Sequence, residues 1–140
     1  MAYTTINKSS DYFNTKLYTG NFTDNTDITG VGFQPDLVWL KERSSGSSNL
    51  LQDAVRGANK DLFSDTSSAE ESNTNRMKAF ISDGFTLGAH NLSNQNGETY
   101  ASWNWKANGA GSANTAGSIN STVSASATSG FSIVKWTGSG

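Results

Sequence analysis

The chain has 140 residues, 34% of them hydrophobic, with 14 glycines and a net charge of −2, which argues against a dense helical core and for a thin sheet domain filled by four Trp, four Tyr and seven Phe. Its ten Lys and Arg form no basic stripe able to displace counterions from a duplex, so no nucleic-acid partner is expected. The absence of cysteine excludes disulfides, thiolate metal sites and a cysteine nucleophile.

The first segment, "MAYTTINKSSDY", offers only Tyr3 and Ile6 for burial and reads as an N-terminal arm over residues 1–11. Residues 1–20 contain no apolar run resembling a signal-peptide core, and no stretch reaches the roughly 18–20 apolar residues of a membrane span. A chain made and folded in a cytosol, without membrane insertion, is expected. "TKLYTG" (15–20) reads as a short strand. "TDNTDITG" (23–30) carries turn chemistry. "PDLVWLKER" (35–43) alternates Leu37, Trp39 and Lys41 against Val38, Leu40 and Glu42, a strand with the only proline at its mouth. "RSSGSSN" (43–49) is a loop.

Farther along, "SDTSSAEESN" (64–73) holds capping-box pairs Ser67–Glu70 and Ser68–Glu71, but no apolar residues follow at helical spacing, so a single exposed turn is expected. "RMKAFIS" (76–82) sets Met77, Ala79 and Ile81 against Lys78, Phe80 and Ser82. Asp83-Gly84 marks a hairpin into "FTL" (85–87). "TYASWNWKA" (99–107) sets Ala101, Trp103 and Trp105 on one face and Tyr100, Ser102, Asn104 and Lys106 on the other, with the Trp face reading as a core stripe. About seven or eight short strands between polar turns predict an all-β fold, an antiparallel β-sandwich of jelly-roll type, over residues 12–106.

From 107 to 130 the composition shifts to Ala, Gly, Ser, Thr and Asn, which predicts a linker. Within it Ile119, Ser121, Val123 and Ala125 alternate, as an edge strand against a neighbour would. The last segment, "FSIVKWTGS" from Phe131, matches "FNTKLYTGN" from Phe13 at Phe, at the aromatic pair Tyr18/Trp136 and at Thr-Gly, so residues 131–140 read as the start of a second repeat, with Trp136 placed as Tyr18 is.

The motifs "TGVGFQPDLVWLKERS" (29–44), "DAVRGANKDLFS" (53–64), "SDGFTLG" (82–88) and "TYASWNWKANG" (99–109) resemble the repeated β-rich domains of tail-fibre-like and other virion structural proteins of marine tailed bacteriophages. The resemblance spans about residues 12–140. It implies a virion module, with no catalytic, cofactor-binding or metal residues to carry over and with a parent chain that continues past Gly140.

Individual residues add little chemistry. His90 is the only histidine and has no nucleophile beside it in sequence. The carboxylate pairs Asp24/Asp27 and Glu70/Glu71 fall in turn-like text. Asp24, Asn25 and Asp27 fail as a calcium loop because Ile28 stands where an oxygen ligand is needed. Arg56 is expected to pair with Asp53 as a contact that stabilises the fold. Trp39, Trp103, Trp105 and Trp136 could stack on pyranose rings, with the loops at 43–49 and 91–98 as the better places for a glycan. The N-x-S/T triplets at Asn7, Asn21, Asn91 and Asn120 follow from composition.

The expectation is therefore a non-enzymatic virion protein, assembled in the bacterial host's cytoplasm. It would be the N-terminal portion of a tail fibre or appendage that anchors it to the particle, with a capsid-surface decoration protein or a glycan-binding host-attachment module as the alternatives. Other virion proteins, further copies of itself and a host-surface glycan are the expected partners, and no cofactor is expected.

Overall fold

The computed structural model describes residues 6–139. Its frame is the strand with the clearest alternation, β9 (Thr99–Trp105), which pairs antiparallel with both β1 (Phe13–Thr19) and β3 (Leu37–Glu42). The sheet continues through β4 (Leu50–Asp53), β5 (Lys60–Phe63) and the two-residue β6 (Glu71–Ser72), in the order β1-β9-β3-β4-β5-β6. A second sheet, β2-β8-β7, comprises Thr26–Thr29, Gly84–Leu87 and Met77–Ile81. The fold is an all-β sandwich.

The two sheets close over Val38, Leu40, Leu50 and Tyr100 from the large sheet and Ile28, Met77, Phe85 and Leu87 from the small one, with Tyr18, Phe63 and Phe80 packed around them. Burying side chains of this size contributes about 1.5–3 kcal/mol each. The hairpin expected at Asp83-Gly84 joins β7 to β8, and Gly84 pairs with Ile81. Glycine is required there: φ is 148°, and an added Cβ would collide with the Ile28 carbonyl oxygen of β2. A bulge between Met77 and Ala79 breaks the alternation read for residues 76–82, so Met77 and Phe80 both reach the core.

Two expectations are corrected. Residues 23–30 are not all turn, because Thr26–Thr29 forms β2 and buries Ile28. The capping-box text at 64–73 is an exposed turn without a helix, as expected, and runs into β6; Glu70 pairs with Arg56 and Lys60, while Glu71 pairs with Arg76. The expected linker over 107–130 contains β10 (Ser112–Asn114) and β11 (Ser121–Ser126). The alternation seen at 119–125 is satisfied inside the chain, since β11 pairs along its length with β12 (Phe131–Trp136), giving a third sheet, β10-β11-β12. Composition alone missed it because the strands do not need a core of their own. They borrow apolar surface from the large sheet. Of the expected arm, Ser9–Asp11 forms a 3-10 turn and Ile6 faces Tyr12, Phe13, Trp105 and Phe131 across a cavity of about 390 Å³; Tyr3 lies outside the described residues.

The third sheet lies on the outer face of the six-stranded one. Phe131 stacks with Trp105 of β9 at 6.2 Å, and Ile133–Trp136 share a groove of about 270 Å³ with Asp53, Arg56 and Leu62 of the β4–β5 region. Five strand rises span about 17 Å, and the three strand spacings from β9 to β5 span about 14 Å, so β12 crosses the large sheet instead of running along it.

Candidate functional site

The large sheet has two faces of different chemistry. Inward point Tyr100, Ser102 and Asn104 of β9, all fully buried, with Val38 and Leu40 of β3. Outward point Ala101, Trp103 and Trp105. The Trp stripe read as core is therefore the outer stripe, which corrects its sequence assignment. The cause is steric as well as chemical. Asn104 Nδ2 donates to the Asn14 carbonyl (3.1 Å), to the Ser102 carbonyl (3.3 Å) and to Ser102 Oγ (3.1 Å), so small polar side chains fill the inner space with this amide's donors satisfied, while its Oδ1 is buried without a partner.

Cross-strand register arranges the outer face in rows. One row runs Thr15–Trp103–Trp39–Leu51–Leu62 across β1, β9, β3, β4 and β5. The row toward one end, Phe13–Trp105–Leu37–Asp53, lies by β12; Phe13 sits 4.9 Å from Trp105. On the other side, register and continued alternation place Leu17, Ala101, Lys41, Asn49 and Ser64. Over β3 to β5 that row is polar, beside the apolar Trp39, Leu51 and Leu62.

Trp39 is the centre of this arrangement. Its ring lies 5.3 Å from that of Trp103, tilted by 41°, and its Nε1–H donates to Ser64 Oγ at 3.1 Å, so both its tilt and its edge are fixed. It remains 36% exposed. Lys41 Nζ donates to the Ser47 carbonyl at 2.6 Å, which ties down the 43–49 loop. The Asn49 backbone N–H donates to Asp65 Oδ1 at 3.1 Å, while its side chain makes no hydrogen bond within the described chain and its Oδ1 is shielded without a partner.

The other glycan candidate, the loop at 91–98, is committed to the fold. The helical turn α1 (Asn91–Asn94) is held from below by two stacked tyrosines, Tyr18 and Tyr100, with ring centroids 4.9 Å apart. Tyr18 donates to the Ser93 carbonyl at 2.6 Å; Tyr100 donates to the Asn91 carbonyl and accepts from the Gln95 N–H, each at 2.9 Å. Burial pushes the Tyr100 hydroxyl up to about 12. Asn94 is buried and bonds the Asn21 N–H, the Thr23 carbonyl and the Gly88 carbonyl. Gly20 lies so close to the Gln95 carbonyl that no Cβ fits.

The remaining sequence candidates are dispersed. His90 caps α1, its Nδ1 accepting from the Leu92 N–H at 3.1 Å; burial and the nearby Arg76 lower its pKa below the ordinary 6.5. Asp24 pairs with Lys78, and Asp27 accepts from Thr86 Oγ1 at 2.6 Å. Arg56 binds Asp53 at 2.6 Å as expected, and the Leu51 carbonyl (3.0 Å), the Lys60 carbonyl (3.4 Å) and Glu70 (3.3 Å) occupy the rest of its fork. Its donors are used in holding β4, β5 and the 64–73 loop together. Among the described residues no group of three or more His, Asp or Glu is placed to hold a metal ion, and no helix is long and apolar enough to cross a membrane. The sequence reading missed the buried cluster in which Arg76 pairs with Asp61 (2.9 Å), Gln52 donates to Asp61 (2.5 Å) and the Phe63 ring lies 5.4 Å from the guanidinium. Burial raises the Asp61 pKa against the pull of Arg76.

Comparison with protein families matches residues 8–140 to a domain of unknown function, DUF7483. The chain belongs to the DUF7483 family. No curated protein and no solved structure matched it. The match spans both the sandwich and the C-terminal sheet, so all three sheets of this DUF7483 chain lie within the matched region.

Proposed function

We propose that this DUF7483 domain is a structural attachment module of a tailed-bacteriophage virion, working in the particle-proximal portion of a tail fibre or appendage. The motif resemblance supplies the setting. The observation that carries the mechanism is the C-terminal sheet. It leaves β10 and β12 as open edges, with Ile119 42%, Val134 44% and Trp136 62% exposed. An unpaired edge flanked by exposed apolar side chains is a ready template for a strand from another virion protein or a second copy. The sandwich is then the rigid block and the third sheet its connector.

Immunogold labelling of purified phage particles, with antibody raised against the isolated domain, tests the reading. Label on the tail or capsid is the expected result. In an infection complemented with Val134→Lys/Trp136→Ser, incorporation should fall while soluble protein persists. Label confined to soluble lysate protein would refute the proposal.

A further inference from the structure

We infer that the outer face of the large sheet, centred on Trp39, binds an uncharged pyranose oligosaccharide. The connector sheet rests on the same face, beside Trp105, Asp53 and Leu62, and leaves Trp39 36% exposed; the inference does not rest on virion membership.

A pyranose presents an apolar C–H face and a rim of hydroxyls, so a site for it needs a fixed aromatic ring beside hydrogen-bonding groups that stay free. Trp39 supplies the ring, fixed by Trp103 and by its bond to Ser64 Oγ, so little ordering is required on binding. The rim is one register step away, where Lys41, Asn49 and Ser64 follow Trp39, Leu51 and Leu62 on the same face. Asn49 is the important member. Its Oδ1 is shielded without a partner, and no hydrogen bond within the described chain takes up its amide nitrogen, which keeps two donors for a ligand.

The charge state narrows the ligand. Lys41 is engaged by the Ser47 carbonyl, Asp65 by the Asn49 N–H, and the neighbouring Arg56 by Asp53. Lys41 keeps its charge on a neutral carbonyl, but Asp65 beside Asn49 brings an opposing one, so the patch holds no net positive charge to select carboxylate or sulfate and an uncharged chain fits better than an acidic glycan. A second copy of the protein is the competing occupant, but the polar row would bring Asn49 into that interface without a matching group.

The test is intrinsic tryptophan fluorescence titrated with cellohexaose, laminarihexaose and chitohexaose, with a heparin-derived oligosaccharide as the acidic probe. At least one neutral probe should give a saturable change. Trp39→Ala should weaken it by about tenfold or more, and Asn49→Ala by about three- to tenfold. Circular dichroism reports whether Trp39→Ala is folded. If it is not, Asn49→Ala decides, because that substitution removes no hydrogen bond from the described fold. Saturation by no neutral probe, response to the acidic probe alone, unchanged affinity in Asn49→Ala, or a concentration-dependent dimer that shields Trp39 would each overturn the inference.

Discussion

Trp39 and Leu40 are neighbours on β3, yet they belong to different parts of the molecule. Leu40 is 1% exposed between the two sandwich sheets, whereas Trp39 is 36% exposed on the far side. The same division runs through β9, where Tyr100, Ser102 and Asn104 face the sandwich and Trp103 and Trp105 face out. Residue size does not tell which side is core. What decides it is whether an opposing layer exists and whether the polar groups facing that layer find partners. The inner face is built to hold the fold, and the outer face to present a surface.

A large loss on the inner side is expected from breaking the buried ion pair. Asp61→Ala leaves Arg76 with only the half-exposed Glu71 and should cost about 3 kcal/mol, read from the denaturation midpoint. A smaller loss, about 1–3 kcal/mol, is expected for Tyr100→Phe, which strands the Asn91 carbonyl and the Gln95 N–H. Hydrogen exchange should then speed up across 91–98 before the strands respond.

Acid should act next, with a definite sign. Burial, and Arg76 after it, lower the His90 pKa, so its contribution is present above the unfolded value of 6.5 and declines as pH falls below it. The Lys78 hydrogen bond lowers Asp24, and the Gly32 and Gly30 N–H groups lower Asp83, so their contributions decline below the ordinary 3.8. Asp61 runs the other way: burial raises its pKa, so acidification through the range above 3.8 returns some stability. In a thermal melt series, Asp83→Asn should flatten the decline at the lowest pH, and an unchanged slope would remove the Gly30–Gly32 clasp from the account. On the connector sheet, Trp136→Ser should change stability by no more than about 0.5 kcal/mol, because the side chain is 62% exposed.

Alternation in the sequence was enough to place β1, β3 and β9, because each carries a period of two bounded by turn residues, and it located β7 although the bulge after Met77 breaks the period there. It could not say which face of β9 was inside. Tyr100 and Trp103 are both large, and Ser102 and Asn104 look like solvent residues until the Asn14 carbonyl of β1 is brought beside them. Residues 112–126 were only partly legible, as a candidate edge strand at 119–125, for a related reason. Their partner is β12, read as another unit, and it is β12 that rests on Trp105 and Leu62. The Trp39 site was half legible: the 43–49 loop was a candidate, but only the pairing of β3, β4 and β5 shows Asn49 and Ser64 as neighbours of the Trp39 row.

The division between faces is tested most directly by urea unfolding of two variants one residue apart. Leu40→Ala should cost about 2–5 kcal/mol, as a buried Leu does, and Trp39→Ala about 1–2 kcal/mol, as a partly exposed cross-strand aromatic does. A loss at Trp39 equal to or greater than that at Leu40 would contradict the account, because it would make the outer row part of the core.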